Sequence, residues 1–272
     1  MGKFSGILFC TDLDGTLLRN DKSISAENLR AIEYFKSEGG MFTFITGRLP
    51  DAAVDIYEEV NPNVPFGCIN GGGVYDHRKK EFAWITTLPD EALDLVEYVD
   101  HRLENLGIQL HTPQGIYFYN ENPEMISFRE NTTAASFSCH YREVKEPIAK
   151  VVFADNEVQL MKLRELLHNH PKADSYDFIR SEHTLYEILP KGVTKATALL
   201  KLIDILHVDI KNTVTVGDYD NDVAMIRCAG RGYAVANASE AAKHVASRIT
   251  VSNQEHAIAK IIEDLERECR PN

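Results

Sequence analysis

The chain has 272 residues, 44% of them hydrophobic, which is enough for a sizeable buried core and, at usual domain sizes, for about two domains. Acidic residues outnumber basic ones by 41 to 29, giving a formal net charge of -12 with no segregated basic block, so nucleic acid is not an expected partner. No apolar run is long enough to span a bilayer and the first ten residues lack the marks of a secretory signal, so no membrane partner is expected and the expected location is cytoplasmic.

In chain order, residues 6–11 form a short apolar run ending in Asp12-Leu13-Asp14-Gly15-Thr16, the pattern of a buried strand that stops at a polar turn. A helix follows, with Ser25 as its cap, Leu29, Ile32 and Phe35 on one face, and Gly39-Gly40 as its stop. Residues 41–46 read as a second buried strand ending in Thr46-Gly47-Arg48, and residues 66–69 as a third ending at Asn70 and three glycines. Alternation of strand and helix predicts a parallel sheet with helices on its faces, a doubly wound α/β core. From about Trp84 the rhythm changes. A helix over 89–106, paired strands over 108–111 and 116–119, a strand over 148–154, a helix over 157–168 and strands over 176–180 and 185–189 predict an antiparallel sheet with helices on one face. That segment, 84–188, reads as an inserted second domain of α+β type. The first rhythm then returns with a helix over 194–206 and strands over 213–216 and 233–236. Residues 1–83 and 189–272 are thus predicted to fold together as one core, with the tail after Asp264 frayed. The five cysteines are odd in number and not closely paired, which predicts buried or free thiols.

Ligands of open parallel sheets bind beyond the carboxyl ends of the strands, where loops and helix N-termini converge. Predicted core strands here end in Asp12 and Asp14, in Thr46 with Gly47 and Arg48, in Asn70, and in Gly217-Asp218-Tyr219-Asp220-Asn221-Asp222. Acids at two strand ends and a hydroxyl and an amide at two others predict one assembled site. A solvated Asp-Gly turn is the plain alternative for Asp12 and Asp14. A calcium loop is excluded, because neither acidic segment has glycine and glutamate at the required offsets. Lys195 falls in the first turn of a predicted helix, where a cation opposes the positive end of the dipole; such a local conflict marks function. Neither a phosphate-binding Gly-x-x-x-x-Gly-Lys loop nor a complete Gly-x-Gly-x-x-Gly fingerprint is present.

Five segments in order, Asp12-Leu13-Asp14-Gly15-Thr16, Ile45-Thr46-Gly47-Arg48, Asn70-Gly71-Gly72, Lys191-Gly192-Val193-Thr194-Lys195 and Gly217-Asp218-Tyr219-Asp220-Asn221-Asp222, resemble the motifs of the haloacid dehalogenase superfamily. The resemblance is to its Cof-type phosphatases with a large α/β cap and covers nearly the whole chain. It implies Mg²⁺ as cofactor, a Rossmann-like core carrying the chemistry, and residues 84–188 as an inserted α+β cap that is a mobile lid setting specificity. A carboxylate attacks a phosphate dianion efficiently only if cations neutralise the phosphoryl oxygens. On this reading Asp12 is the nucleophile and Asp14 the acid and then base. Asp12, Asp218 and the backbone carbonyl of Asp14 hold Mg²⁺, and Lys195 holds the phosphoryl group and the nucleophile. Thr46 and Gly47 supply a hydroxyl and an amide to the phosphoryl oxygens; Arg48, Asn70 and Asn221 are candidate substrate contacts. Asp222 is read either as a metal ligand or support or as a helix cap, and Asp220 as a cap. The chain departs from the pattern at Gly72, where alanine is common, at Asp220, and over 253–257, which lacks an Asp-Gly pair. The function expected is hydrolysis of small phosphorylated metabolites, sugar phosphates or similar monoesters, through an aspartyl phosphate by a monomer or homodimer. A phosphomutase or other phosphotransferase is the alternative, and a phosphometabolite-binding regulator a third reading.

Overall fold

The computed structural model of the protein describes residues 2–269. Their contacts divide the chain into two compact units: Met1–Gly47, Asp55–Trp84 and Thr194–Asn272 form the first, and Arg48–Val54 with Ile85–Val193 the second. The sequence boundaries were drawn at 83/84 and 188/189, with Arg48 in the core.

The chain begins with β1 (Leu8–Thr11), α1 (Ala26–Ser37), β2 (Met41–Phe44), α2 (Val54–Val60), β3 (Phe66–Cys68), β4 (Gly73–Asp76) and β5 (Glu81–Ile85). Next come α3 (Ala92–Asp100), β6 (Gly107–Thr112), β7 (Gly115–Tyr119), α4 (Pro123–Asn131), β8 (Ser136–Ser138), β9 (Lys150–Ala154), α5 (Glu157–His168), β10 (Tyr176–Glu182) and β11 (Leu185–Pro190). The remainder is α6 (Lys195–Leu206), β12 (Thr213–Gly217), α7 (Val223–Cys228), β13 (Arg231–Ala234), α8 (Glu240–Val245), β14 (Arg248–Ile249) and α9 (Ala257–Cys269).

In the first unit the strands β14-β13-β12-β1-β2 form one parallel sheet in that order. The chain winds outward from β1 to β2, then resumes on the other side of β1 with β12, β13 and β14. The order therefore reverses between β1 and β12, which is where such sheets open a ligand crevice. Strands β1 and β12 are buried along their whole length, as their apolar sequences require. Helix α1 starts where Ser25 accepts a hydrogen bond from the Asn28 amide (3.2 Å) and buries Ile32 and Phe35.

Three local expectations are corrected. Residues 66–69 do not extend the parallel ladder as a third strand: β3 pairs antiparallel with β4 in a small β3-β4-β5 sheet, and beside the main sheet it makes a single parallel bridge, between Ile45 and Gly67, with the Phe44 and Phe66 rings packed together. Left-handed backbone at Ile69 and Asn70 (φ 55° and 51°), followed by Gly71 (φ 97°), turns the chain back at once. The tail does not fray at Asp264, because α9 continues to Cys269 and buries Ile258, Ile261, Ile262 and Leu265 on one face. That spacing is a helical stripe, and the Ala259 amide donates to Asn28 Oδ1 of α1 (3.0 Å). Residues 270–272 lie outside the described residues.

The second unit is a six-stranded sheet, β10-β11-β9-β6-β7-β8, antiparallel except for β7 with β8. Its helices are not confined to one face, which is the third correction. Leu95 and Val99 of α3 and Leu163 and Leu167 of α5 pack with Ile108, Leu110, Val151 and Phe153. The alternate positions of β6 instead meet α4: Gln109 Nε2 lies 2.8 Å from Met125 Sδ, and the His111 and Phe128 rings are 6.4 Å apart. Helix α4 has no apolar stripe and buries only Met125, so its sequence does not advertise the packing. Among the described residues no helix is long and apolar enough to cross a membrane. Cys10, Cys68, Cys139 and Cys228 are free thiols.

Candidate active site

Asp12 follows the last residue of β1 and stays in the sheet ladder, its amide donating to Val216 O of β12 (2.9 Å). Its side chain is almost fully buried. Lys195 opens α6, whose start is fixed by Thr194 and Thr197 in a reciprocal capping box. The chain at Gly71 approaches this helix start so closely that a Cβ there would lie 1.8 Å from Thr194 O. The buried Lys195 ammonium is thereby set between two carboxylates, 2.5 Å from Asp12 Oδ1 and 2.6 Å from Asp222 Oδ1. Asp222, fully buried, uses its other oxygen to accept from the amides of Asp218 (2.8 Å) and Tyr219 (3.0 Å). The turn after β12 is therefore folded around the Asp222 carboxylate. Asp218 accepts from Thr16 Oγ1 at 2.9 Å, which links the two strand ends at the topological switch.

Asp12, Asp218 and Asp222 each place a carboxylate oxygen within 4.8 Å of those of the other two. Burial pushes Asp12 well above the usual carboxylate range; Lys195 pulls it back, while Asp222 and Asp218 push it further up. Asp218 is raised to about 6, first by burial and then by Asp222. Burial alone would lower the Lys195 amine, but Asp12 and Asp222 outweigh it and the net movement is upward. Three crowded acids against one lysine are an arrangement short of positive charge. Hard, buried oxygens of this kind suit a small divalent cation.

Beside this cluster, Asn70 Oδ1 accepts from Asn221 Nδ2 at 3.0 Å, and a Cβ on Gly47 would lie 2.9 Å from Asn70 Oδ1. Asn70 is held in a left-handed conformation, its amide bonded to Thr46 O (3.0 Å), as the turn reading of this residue requires. Thr46 is buried at the end of the β2 segment, where its amide donates to Gly67 O (3.0 Å).

The model of the haloacid dehalogenase-like hydrolase family matches residues 9–262. The chain belongs to that family. It is similar to the 5-amino-6-(5-phospho-D-ribitylamino)uracil phosphatase YitU of Bacillus subtilis, with 26% identity covering 94% of this chain and 96% of that one. It is also similar to the pyridoxal phosphate phosphatase YbhA of Escherichia coli, at 25% identity over 92% and 95% of the two chains. A crystal structure of a haloacid dehalogenase-like hydrolase from Bacteroides thetaiotaomicron superposes with a TM-score of 0.83 at 26% identity, covering 95% of this chain and 99% of that one.

Of the residues singled out in this haloacid dehalogenase-like hydrolase, Asp12, Lys195, Asp218 and Asp222 meet in one cluster, and Thr46, Gly47, Asn70 and Asn221 adjoin one another. Asp14 is less buried than Asp12 and pairs with Lys22 Nζ at 2.8 Å. Arg48 groups with the second unit and donates to Ala52 O at 3.2 Å. Asp222 lies in the acidic cluster, yet each of its oxygens already has a partner, which suits a support of Lys195 and of the Asp218 turn better than a metal ligand. Asp220 accepts from Ser239 Oγ (3.0 Å), a tie to the loop after β13 in place of the expected helix cap. Sequence reasoning gave no role to Thr16, Lys22 or Asn237, although Asn237 Nδ2 donates to Gly15 O (2.9 Å). Asn237 lies just past the end of β13, so the strand-end rule applied to a further strand would have found it. Thr16 and Lys22 carry no such signal, since each acts through one side-chain contact across a loop.

Proposed function

We propose that this hydrolase is a magnesium-dependent phosphatase of the cytoplasm that cleaves small phosphorylated metabolites, sugar phosphates or similar monoesters, through a phosphorylated Asp12. The observation that carries the reading is the buried Lys195 ammonium held between Asp12 and Asp222, with Asp218 alongside. A nucleophilic carboxylate needs such a setting, because a phosphate dianion repels it in the absence of fixed positive charge. The donor set fits Mg²⁺: Asp12, Asp218 and the backbone carbonyl of Asp14 would hold it, with Asp222 in support. When bound, Mg²⁺ supplies charge neutralisation at the phosphoryl oxygens.

The chain's own residues divide the chemistry into two displacements. Asp12 attacks phosphorus, the ester P–O bond breaks, and Asp14 gives its proton to the departing oxygen. Asp14 then takes a proton from the water that attacks the aspartyl phosphate, the bond to Asp12 breaks, and inorganic phosphate leaves. Lys195 orients Asp12 and balances phosphoryl charge. Thr46 Oγ1 and the Gly47 amide are donors for phosphoryl oxygens, with Asn70 and Asn221 framing that side and Arg48 reaching the substrate. The second unit is the lid that reads the organic part of the substrate. YitU and YbhA are named for phosphoribityl and pyridoxal phosphate substrates, both small monoesters, which supports the substrate class.

Phosphate release from a panel of sugar phosphates, nucleotides and small monoesters, with Mg²⁺ and with chelator, tests the reading. The expected result is metal-dependent release that Asp12→Ala abolishes. Release by Asp12→Ala at the native rate, or none by the native protein on any compound, would overturn it.

A further inference from the structure

We infer that Asn237 and Asn253 are positioning residues for proton transfer by Asp14, holding the loop that carries it; the inference rests on the role proposed for Asp14. After Asp12 the chain leaves the sheet and turns back on itself, with a bridge between Asp14 and Leu18 and with the Leu18 amide donating to Leu13 O (2.8 Å). These bonds shape the loop but do not fix its place on the sheet. Beside the Thr16–Asp218 bond, two asparagines from later in the chain do. Asn237, just beyond β13, donates from Nδ2 to Gly15 O (2.9 Å), the carbonyl next to Asp14. Asn253, just beyond β14, donates from Nδ2 to Leu18 O (2.9 Å) and lies 3.2 Å from Asn20 Oδ1. The two are joined, because the Asn253 amide donates to Asn237 Oδ1 (3.0 Å).

The chemistry of asparagine suits this task. Asn237 must donate at one end of its amide and accept at the other, which a carboxylate cannot do. Asn253 is 3% exposed, and the two contacts of its Nδ2 both go to the Asp14 loop, so the expense of burying an amide is met by contacts that serve the loop. The same chain segment reaches the metal side: the Ser239 amide donates to Asp218 O (2.7 Å). One element past β13 thus references both the proton-transfer loop and the Asp218 turn, which keeps the acid in register with the phosphorus site. A misplacement of about 1 Å in such an arrangement costs roughly a hundredfold in rate.

Asn237 is exposed and Gly15, whose carbonyl it holds, is half-buried, so Asn237→Ala is expected to fold although the Asn253 amide loses its acceptor; Asn253→Ala is its buried counterpart. The probes are p-nitrophenyl phosphate and benzyl phosphate with saturating Mg²⁺. They are alike in size and charge, but the nitrophenolate leaves without a proton and the benzyl alkoxide needs one, so only the second depends on Asp14 in the step that kcat/KM reports. In Asn237→Ala, kcat/KM for benzyl phosphate is expected to fall about tenfold or more while that for p-nitrophenyl phosphate changes less than about threefold. Equal losses on both, or none, would reduce the asparagines to a structural clamp and overturn the inference. A readout that needs no turnover is hydrogen exchange: amides over 14–20 should lose protection in Asn237→Ala while those of β1 and β12 keep theirs, and unchanged protection over 14–20 equally overturns it. Asp12→Asn, run alongside, separates the two levels. Residual native activity there would sink the phosphatase mechanism itself, whereas an inactive Asp12→Asn beside an unselective Asn237→Ala would sink only the positioning role.

Discussion

Crowding of Asp12, Asp218 and Asp222 should make thermal stability depend jointly on pH and on Mg²⁺. Asp218 moves from 3.8 to about 6 on folding, mainly through burial. At about 1.4 kcal/mol per pK unit, its ionised form at neutral pH is penalised by roughly 3 kcal/mol. The sign follows from linkage: between the two values the folded state binds more protons than the unfolded one, so stability falls as pH rises through about 4 to 6. Asp12 is shifted in the same direction. A cation at this cluster competes with those protons and removes the penalty. Scanning calorimetry at pH 7.5 should therefore show Mg²⁺ raising Tm by about 6 °C or more, taking about 2 °C per kcal/mol for a chain of this size. At pH 5, where Asp218 is already mostly protonated, the gain should shrink to a small part of that. Asp218→Asn, which keeps the acceptor for Thr16, should be more stable than the native chain at pH 7.5 in chelator and should gain little from Mg²⁺. The same Tm gain at both pH values, or the full native gain in Asp218→Asn, would refute the electrostatic reasoning.

Two further variants test how the site is framed. Gly71→Ala would bring a methyl against the Thr194 carbonyl and force a side chain into a left-handed conformation, so a loss of about 2 kcal/mol or more is expected in urea denaturation, together with reduced phosphate release as the start of α6 and Lys195 shift. Ile261→Ala in α9, on the stripe that packs the chain end against the first unit, should cost about 2–5 kcal/mol in the same assay with KM little changed; a loss under about 0.5 kcal/mol would mean that this helix is not part of the core.

Much of the core was legible because its strands are short, largely apolar or β-branched and cut off by polar clusters, a pattern with few alternatives. Residues 213–217 illustrate it: Thr-Val-Thr-Val-Gly is buried throughout and stops at Asp218. The same cue misled at 66–69, where a true strand end was taken as membership of the parallel sheet. Left-handed turns at Ile69 and Asn70 sent the chain into a hairpin, and nothing in an isoleucine announces a positive φ. Helix α9 was missed for a different reason. Its surface is so charged that average polarity concealed the apolar stripe, which periodicity at 258, 261, 262 and 265 would have shown. Helix α4 was beyond reach, since it packs through Met125 and Phe128 without a regular stripe.

The candidate site stands out in the sequence more than the fold around it, and the reason is energetic. Burying Asp12 and Asp222 beside one lysine, with the half-buried Asp218 alongside, costs stability, and apolar residues of similar volume commonly do better in such positions. A sequence that places Asp12, Asp218 and Asp222 at two adjacent strand ends therefore carries a local conflict that the fold alone does not require, and such conflicts are visible in residue type without coordinates. The supports are not conflicts. Thr16, Asn237 and Asn253 satisfy ordinary hydrogen-bonding needs, and only their partners, Asp218 Oδ1, Gly15 O and Leu18 O, give them a bearing on catalysis. The topology makes those partners predictable in kind: β1 and β12 lie at the reversal of strand order, so whatever follows β13 and β14 must pass the loops that leave β1 and β12. Acids at the reversal mark where the chemistry is proposed, and the asparagines past β13 and β14 bond to the loop that leaves β1.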